Sequence, residues 1–181
     1  MSLVETVVVA IWAMGPAYVP NNAAVLAGGG RPIDGGRTRG GARLLGDGKT
    51  WRGTAVGTLA GAAVALVLNA LVPTFTAATG LPVPTFPPVV VVALPFGAMV
   101  GDIAASGLKR RTGRERGAAF PGLDQYDFVV GSLVFAALAA LDWFAATFTP
   151  PVLVVVLVLT PLLHLGTNFI AYRSGLKSEP W

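Results

Sequence analysis

Three aspartates in the second half of the chain have the type and spacing to do chemistry. Asp102 lies inside an apolar run, Met99-Val100-Gly101-Asp102-Ile103, while Asp124 and Asp127 follow a basic stretch. An ionisable side chain within a membrane-length apolar segment costs about 2.5–3.5 kcal/mol on insertion scales, a cost that marks a functional site by default. Asp124 and Asp127 stand three apart, which on a helix is one face. If the segment carrying Asp102 packs beside the one that this pair opens, three carboxylates converge. The chain has no cysteine and a single histidine, so ligation by oxygen alone selects a hard cation, Mg²⁺ ahead of transition metals. Helix capping accounts for Asp124 and headgroup binding for the basic run. Neither accounts for Asp102, which caps nothing.

Two groups of cations accompany the acids. Lys109, Arg110, Arg111, Arg114 and Arg116 lie between Asp102 and Asp124, and suit a polyphosphate that a metal bridges. The second group is in Gly46-Asp47-Gly48-Lys49-Thr50-Trp51-Arg52-Gly53, directly before an apolar segment. A glycine-rich turn entering a helix N-terminus presents backbone amides to an anion, and Lys49 and Arg52 add charge. It is no Walker A loop: the position that needs its first glycine holds Arg43, and no strand precedes it. His164, deep in the last apolar segment, has no serine or acid placed to act with it and reads as a core histidine. Asp142 reads as interfacial, and Trp51 as an interface anchor.

The elements that must position these groups are membrane helices. Of 181 residues, 54% are hydrophobic and only 12% charged, about half the charged share of a soluble domain. The apolar residues fall in five runs long enough to cross the hydrocarbon, which takes about 20 helical residues: roughly 3–26, 54–72, 89–108, 128–148 and 152–172. The expected fold is therefore an all-α polytopic integral membrane protein, a single transmembrane domain over residues 1–181. The first run, with no basic residues before it, reads as a retained helix rather than a signal peptide. Gly15, Pro16 and Pro20 predict a kink in it near Asn21 and Asn22. Gly53, Gly57 and Gly61, and more weakly Gly97, Gly101 and Ala105, form small-residue stripes that let helices approach.

Charge placement sets the orientation. All thirteen lysines and arginines fall in loop 28–52, loop 109–127 or the tail with Arg173 and Lys177, and none falls in 73–88 or 149–151. Five crossings put these three regions on one side, which the positive-inside rule makes cytoplasmic, with the N-terminus outside and the C-terminus cytoplasmic. The net charge of +4 is thus explained by the membrane, and nucleic acid is not an expected partner.

The octapeptide at 46–53, together with Gly101-Asp102, Ser106-x-x-Lys109-Arg110 and Phe120-Pro121-Gly122-x-Asp124-x-x-Asp127, resembles the archaeal CDP-archaeol synthase family. The likeness spans nearly the whole chain, including Pro20-Asn21-Asn22, Arg31-Pro32-Ile33-Asp34 and the Lys177…Pro180-Trp181 ending. Those enzymes are similar to the C-terminal half of CDP-diacylglycerol synthases. The resemblance implies CTP-dependent cytidylyl transfer to the phosphate of an isoprenoid glycerol-phosphate lipid, unsaturated archaetidic acid, at a site on the cytoplasmic side of the cell membrane. It implies Mg²⁺ on Asp102, Asp124 and Asp127, with Lys109 beside them as a catalytic cation and Arg110 on the triphosphate. Nucleotide or phosphate binding falls to Asn21, Asn22, Asp47, Gly48, Lys49, Thr50 and Arg52. The His-Gly-Gly of the wider superfamily's signature is missing between Gly122 and Asp124, which alters the expected detail around the acids.

Rival readings are weaker. A CDP-alcohol phosphatidyltransferase needs an aspartate series absent here, and a histidine-dependent lipid phosphatase needs more than one histidine. A cation transporter or channel with Asp102 as its intramembrane ion site is the alternative from another class. Transporters place polar groups through the full membrane depth and often carry internal repeats. This chain shows neither.

Overall fold

Ser2 starts the first helix by a reciprocal cap: its hydroxyl accepts from the Glu5 amide (3.2 Å), while the Glu5 carboxylate accepts from the Ser2 amide (2.6 Å). From there the computed structural model is helical almost throughout, and it describes residues 1–39, 42–46, 48–113, 120 and 122–175. Asp47, Arg114, Arg116, Pro121, Lys177, Pro180 and Trp181 lie outside the described residues. Helix α1 runs Leu3–Tyr18 and α2 runs Pro20–Ala27. The break falls at Val19, just before the expected kink at Asn21 and Asn22, because Pro20 has no amide hydrogen to continue the ladder. A two-stranded hairpin, β1 (Thr38–Arg39) with β2 (Ala42–Arg43), occupies the first loop.

Thr50 caps α3 (Trp51–Thr79), its Oγ1 accepting from the Gly53 amide at 3.0 Å. The helix stops at Gly80, whose φ of 72° is open to glycine and whose amide reaches the Thr76 carbonyl. Helix α4 (Pro88–Arg111) opens on proline, where no amide is needed, and ends on Lys109, Arg110 and Arg111, which complement the negative end of its dipole.

The expected fourth segment, 128–148, is not one helix. It is α5 (Leu123–Ala139) and α6 (Leu141–Thr147), interrupted at Ala140 with φ −154° and ψ 78°. Neither glycine nor proline marks that break. Asp142 falls in the first turn of α6, where the helix dipole favours negative charge. Helix α6 then meets α7 (Pro150–Arg173) at a 75° bend. Among the described residues three helical stretches are long and apolar enough to span a bilayer: α1 with α2, α3, and α4. The bent pair of α6 with α7 makes a fourth if counted as one crossing.

Lipid tails are as apolar as leucine, so helices in a bilayer associate by close packing rather than by escape from water. The glycine stripes serve that packing. A Cβ on Gly57 would stand 2.6 Å from the Pro20 carbonyl oxygen, and one on Gly61 would strike Pro16, so α3 lies flush against α1 and α2. Gly97, Gly101 and Gly131 do the same between α4 and α5, the most extensively packed pair of helices. The buried core lies where α1, α4, α5 and α7 meet, around Met14, Leu94, Val129 and Val152.

At the opposite end from the basic loops, polar side chains lash down the proline-rich connection. Asn69 on α3 pairs doubly with the Phe86 backbone, accepting from its amide (2.7 Å) and donating to its carbonyl (2.9 Å). The indoles of Trp12 and Trp143 donate to the carbonyls of Pro84 and Thr85. Replacing Asn69 by alanine strands two backbone groups of buried Phe86, each worth about 1–3 kcal/mol. Asn69→Ala should lower the melting midpoint in detergent by several degrees; an unchanged midpoint would show that the clamp does not hold this end.

Candidate functional site

The site grows from the contact of α4 with α5. A side chain at Gly101 would collide with the Asp127 carbonyl oxygen, so the two backbones touch there. Asp102 is the next residue along α4, and the Asp127 carboxylate interacts electrostatically with Asp102, Lys49 and Lys109. Backbone contact, rather than long side chains, thus brings these acids of different helices together. The second oxygen-rich centre is one turn away, where Asp124 accepts from the Phe120 amide at 2.9 Å.

Each of two acids is held by a lysine. Lys49, from the first loop, forms an ion pair with Asp102, and Lys109, in the last turn of α4, forms one with Asp124. All four side chains are only about a fifth to a quarter exposed, so water screens these pairs far less than surface pairs. Asp127 has no ion-pair partner among the described residues; its Oδ1 accepts from the Phe128 amide. Among the described residues, two of the three carboxylates thus carry a lysine partner.

Other residues singled out in the sequence take varied places. Thr50 is buried and its hydroxyl is occupied by the α3 cap, with its carbonyl accepting from the Thr54 hydroxyl. Gly48 and Arg52 are exposed at the loop's exit into α3, with the Arg52 stem against Gly30. Arg110 is half-buried in the last turn of α4. On α2, Asn22 is exposed, while the Oδ1 of Asn21 is buried and lacks a protein hydrogen bond, an acceptor left for water or ligand. His164 is half-buried on α7.

The first loop supplies what spacing did not show. Its hairpin is fastened by Asp34, whose carboxylate takes Arg43 in a 2.5 Å ion pair. Between this loop and the end of α4 lies a cavity of about 440 Å³, bordered by Ile33, Asp34, Arg37, Leu45, Gly107 and Arg111. Only the appearance of Asp34 beside Arg31 in the sequence hinted at this region.

Among the described residues no group of three or more acids or histidines forms a metal cage. Magnesium rarely needs one, since it binds through one or two carboxylates plus substrate phosphates and water. Asp102 and Asp127, oxygen donors in mutual electrostatic contact, fit such a half-built site.

Apolar spans ending in paired acids and lysines mark a membrane-embedded protein with a charged site at one end, and the comparisons give its family. A family profile described as CarS-like, CDP-archaeol synthase, matches residues 3–181. The chain is 70% identical over 181 residues to the CDP-archaeol synthase of Halobacterium salinarum, covering all of both chains. It is 48% identical to that of Methanococcoides burtonii, over 92% of this chain and 99% of that one. A solved structure, described as an intramembrane enzyme for archaeal membrane lipids biosynthesis, superposes with a TM-score of 0.69 at 38% identity, over 88% of this chain and 92% of the other. The chain belongs to the CDP-archaeol synthase family, nucleotidyltransferases of membrane lipid biosynthesis. These relatives do not favour the transporter reading.

The α4–α5 contact yields a direct test. Gly101→Val should force the helices apart and cut synthase activity about 100-fold, the scale of an ångström misplacement. Gly166→Ala, which meets nothing within 4 Å, should leave activity intact. Comparable activity in both variants would detach the contact from the chemistry.

Proposed function

We propose that the protein transfers the cytidylyl group of CTP to the phosphate of 2,3-bis-O-geranylgeranyl-glycerol 1-phosphate, giving CDP-archaeol and pyrophosphate in a Mg²⁺-dependent reaction at the cytoplasmic face. The observation that carries this reading is the pairing of Lys49 with Asp102 and Lys109 with Asp124 around the α4–α5 contact. An oxygen of the lipid phosphate attacks the α-phosphorus of CTP, and the bond from that phosphorus to the bridging oxygen of the β-phosphate breaks. Pyrophosphate leaves with the electron pair. The attacking phosphate is already ionised near neutral pH, so no general base is required, which agrees with a site built without histidine.

What remains is charge. Two polyanions must approach, and pre-placed cations lower that barrier where water is scarce. Lys49 and Lys109 exchange their aspartates for phosphate oxygens, Arg110 adds charge at the rim, and Gly48 with Thr50 shapes the loop entering α3. Asp102 and Asp124, freed of their lysines, with Asp127 beside them, are the residues that would hold Mg²⁺. When bound, the metal supplies charge neutralisation and alignment of the phosphates. The lipid chains lie between apolar helices.

Topology supports a cytoplasmic opening. Leu45 of the first loop packs against Gly107 near the end of α4, so the two basic loops share one side. Five crossings, with α5 and α6 together making the fourth, return Arg173 to that side. Because the chain has no cysteine, single introduced thiols report orientation cleanly. In right-side-out vesicles Thr79→Cys should react with an impermeant maleimide and Gly36→Cys only after permeabilisation; the reverse pattern would invert the topology.

Purified protein incubated with Mg²⁺, the lipid phosphomonoester and a panel of nucleoside triphosphates should yield a CDP-lipid and pyrophosphate from CTP. Chelation of the metal should stop turnover. Asp102→Asn should lower it by at least about 100-fold, in the range of losing a key electrostatic group, with melting in detergent preserved. Full activity in that variant would remove Asp102 from the reaction, and product formation in chelator would remove the metal.

A further inference from the structure

The loop that delivers Lys49 crosses from α2 to α3 without a helix of its own, yet the Lys49 ammonium meets Asp102 on α4. Something must hold that loop in register. The side chain of Asp34 is 3% exposed, and its two oxygens together accept four hydrogen bonds. They come from the Gly36 amide (3.0 Å), the Leu45 amide (3.1 Å), Arg43 Nη2 (2.5 Å) and Arg43 Nε (3.3 Å). One carboxylate therefore fastens both ends of the hairpin together.

The fastened piece is linked to Lys49 on one side and to α4 on the other. The Ile33 amide, next to Asp34, donates to the Lys49 carbonyl (3.0 Å), and the Trp51 amide donates to the Arg31 carbonyl (3.1 Å). Pro32 and Thr50 form an antiparallel bridge between those bonds. Leu45, tied to Asp34 through its amide, presses its side chain on Gly107, where a Cβ would stand 3.2 Å away. Gly107 lies on α4 between Asp102 and Lys109.

We propose that Asp34 is a positioning residue for the transferase: through the hairpin it orders, it sets Lys49 opposite Asp102. It touches no reacting atom. The assignment rests on the role given to Lys49 above. The Arg43 guanidinium holds the Asp34 carboxyl down at about 2. The tie therefore stands at full strength above the usual carboxylate range and is lost only as pH falls toward that value.

The test reads loop position and catalysis separately. Spin labels at Thr38→Cys and Thr112→Cys, both exposed, report the distance from hairpin to the end of α4. The expected result is a narrow distribution with Asp34, a broader one in Asp34→Asn, and the broadest in Asp34→Ala, with helical content unchanged. In unlabelled protein, kcat/KM for CTP should fall in the same order, about tenfold for Asp34→Ala, within the usual range of coupling between linked residues. That loss should be constant from pH 5 to 8. A distribution unmoved by Asp34→Ala would overturn the proposal, as would broadening without loss of kcat/KM. Broadening in a protein whose parent shows no cytidylyl transfer would sink the functional reading while leaving the loop's anchorage in place.

Discussion

The backbone contact between α4 and α5 is the constraint on which the rest depends. Side chains are absent at Gly97, Gly101 and Gly131, and the two helices approach until carbonyl oxygens lie where a Cβ would stand. In hydrocarbon this is how helices gain adhesion, since dispersion and weak C–H to carbonyl contacts replace the missing hydrophobic drive. The candidate site is laid directly over that contact. Asp102 follows Gly101, and the carbonyl that Gly101 accommodates belongs to Asp127. An apolar spacer at any of these glycines would separate the acids by moving whole helices.

Charge at membrane depth explains the lysines. An unpaired aspartate in a span is costly, and the cost falls when a cation is held beside it. Lys109 reaches Asp124 from the end of its own helix, where the dipole already favours a cation. Lys49 arrives from a loop 53 residues away in sequence from its partner. Both pairs keep a cation beside an acid and retain some exposure to solvent.

The two ends of the molecule are built on opposite principles. Away from the cations, Asn69, Trp12 and Trp143 spend their polar groups on the backbone of 84–86, closing that end with neutral hydrogen bonds. At the basic end polar groups bond to one another across loops and helices, and the buried Oδ1 of Asn21 is left without a protein partner. One end is thus closed by hydrogen bonds to backbone, while the other keeps partly exposed charged side chains.

Much of this was legible in the chain itself. Apolar runs of membrane length placed α1 with α2, α3, α4 and α7 to within a few residues, except that α3 runs a further turn or two to Gly80. The motifs identified the family, because Gly46–Gly53 and the aspartate series are local patterns that need no partner to be read. The break at Ala140 was not legible: alanine is a good helix former, and neither glycine nor proline marks the interruption. Nor was the choice of partners. Spacing brought Asp124 and Asp127 to one face, but which lysine meets which acid depends on how a long loop folds back over α4. Asp34 stood out only as part of the Arg31-Pro32-Ile33-Asp34 stretch of the family resemblance, and its part in that loop appears only when residues 34, 43 and 45 are brought together in space. Local periodicity determines helices because their hydrogen bonds are local, whereas ion pairs between distant segments are set by tertiary packing.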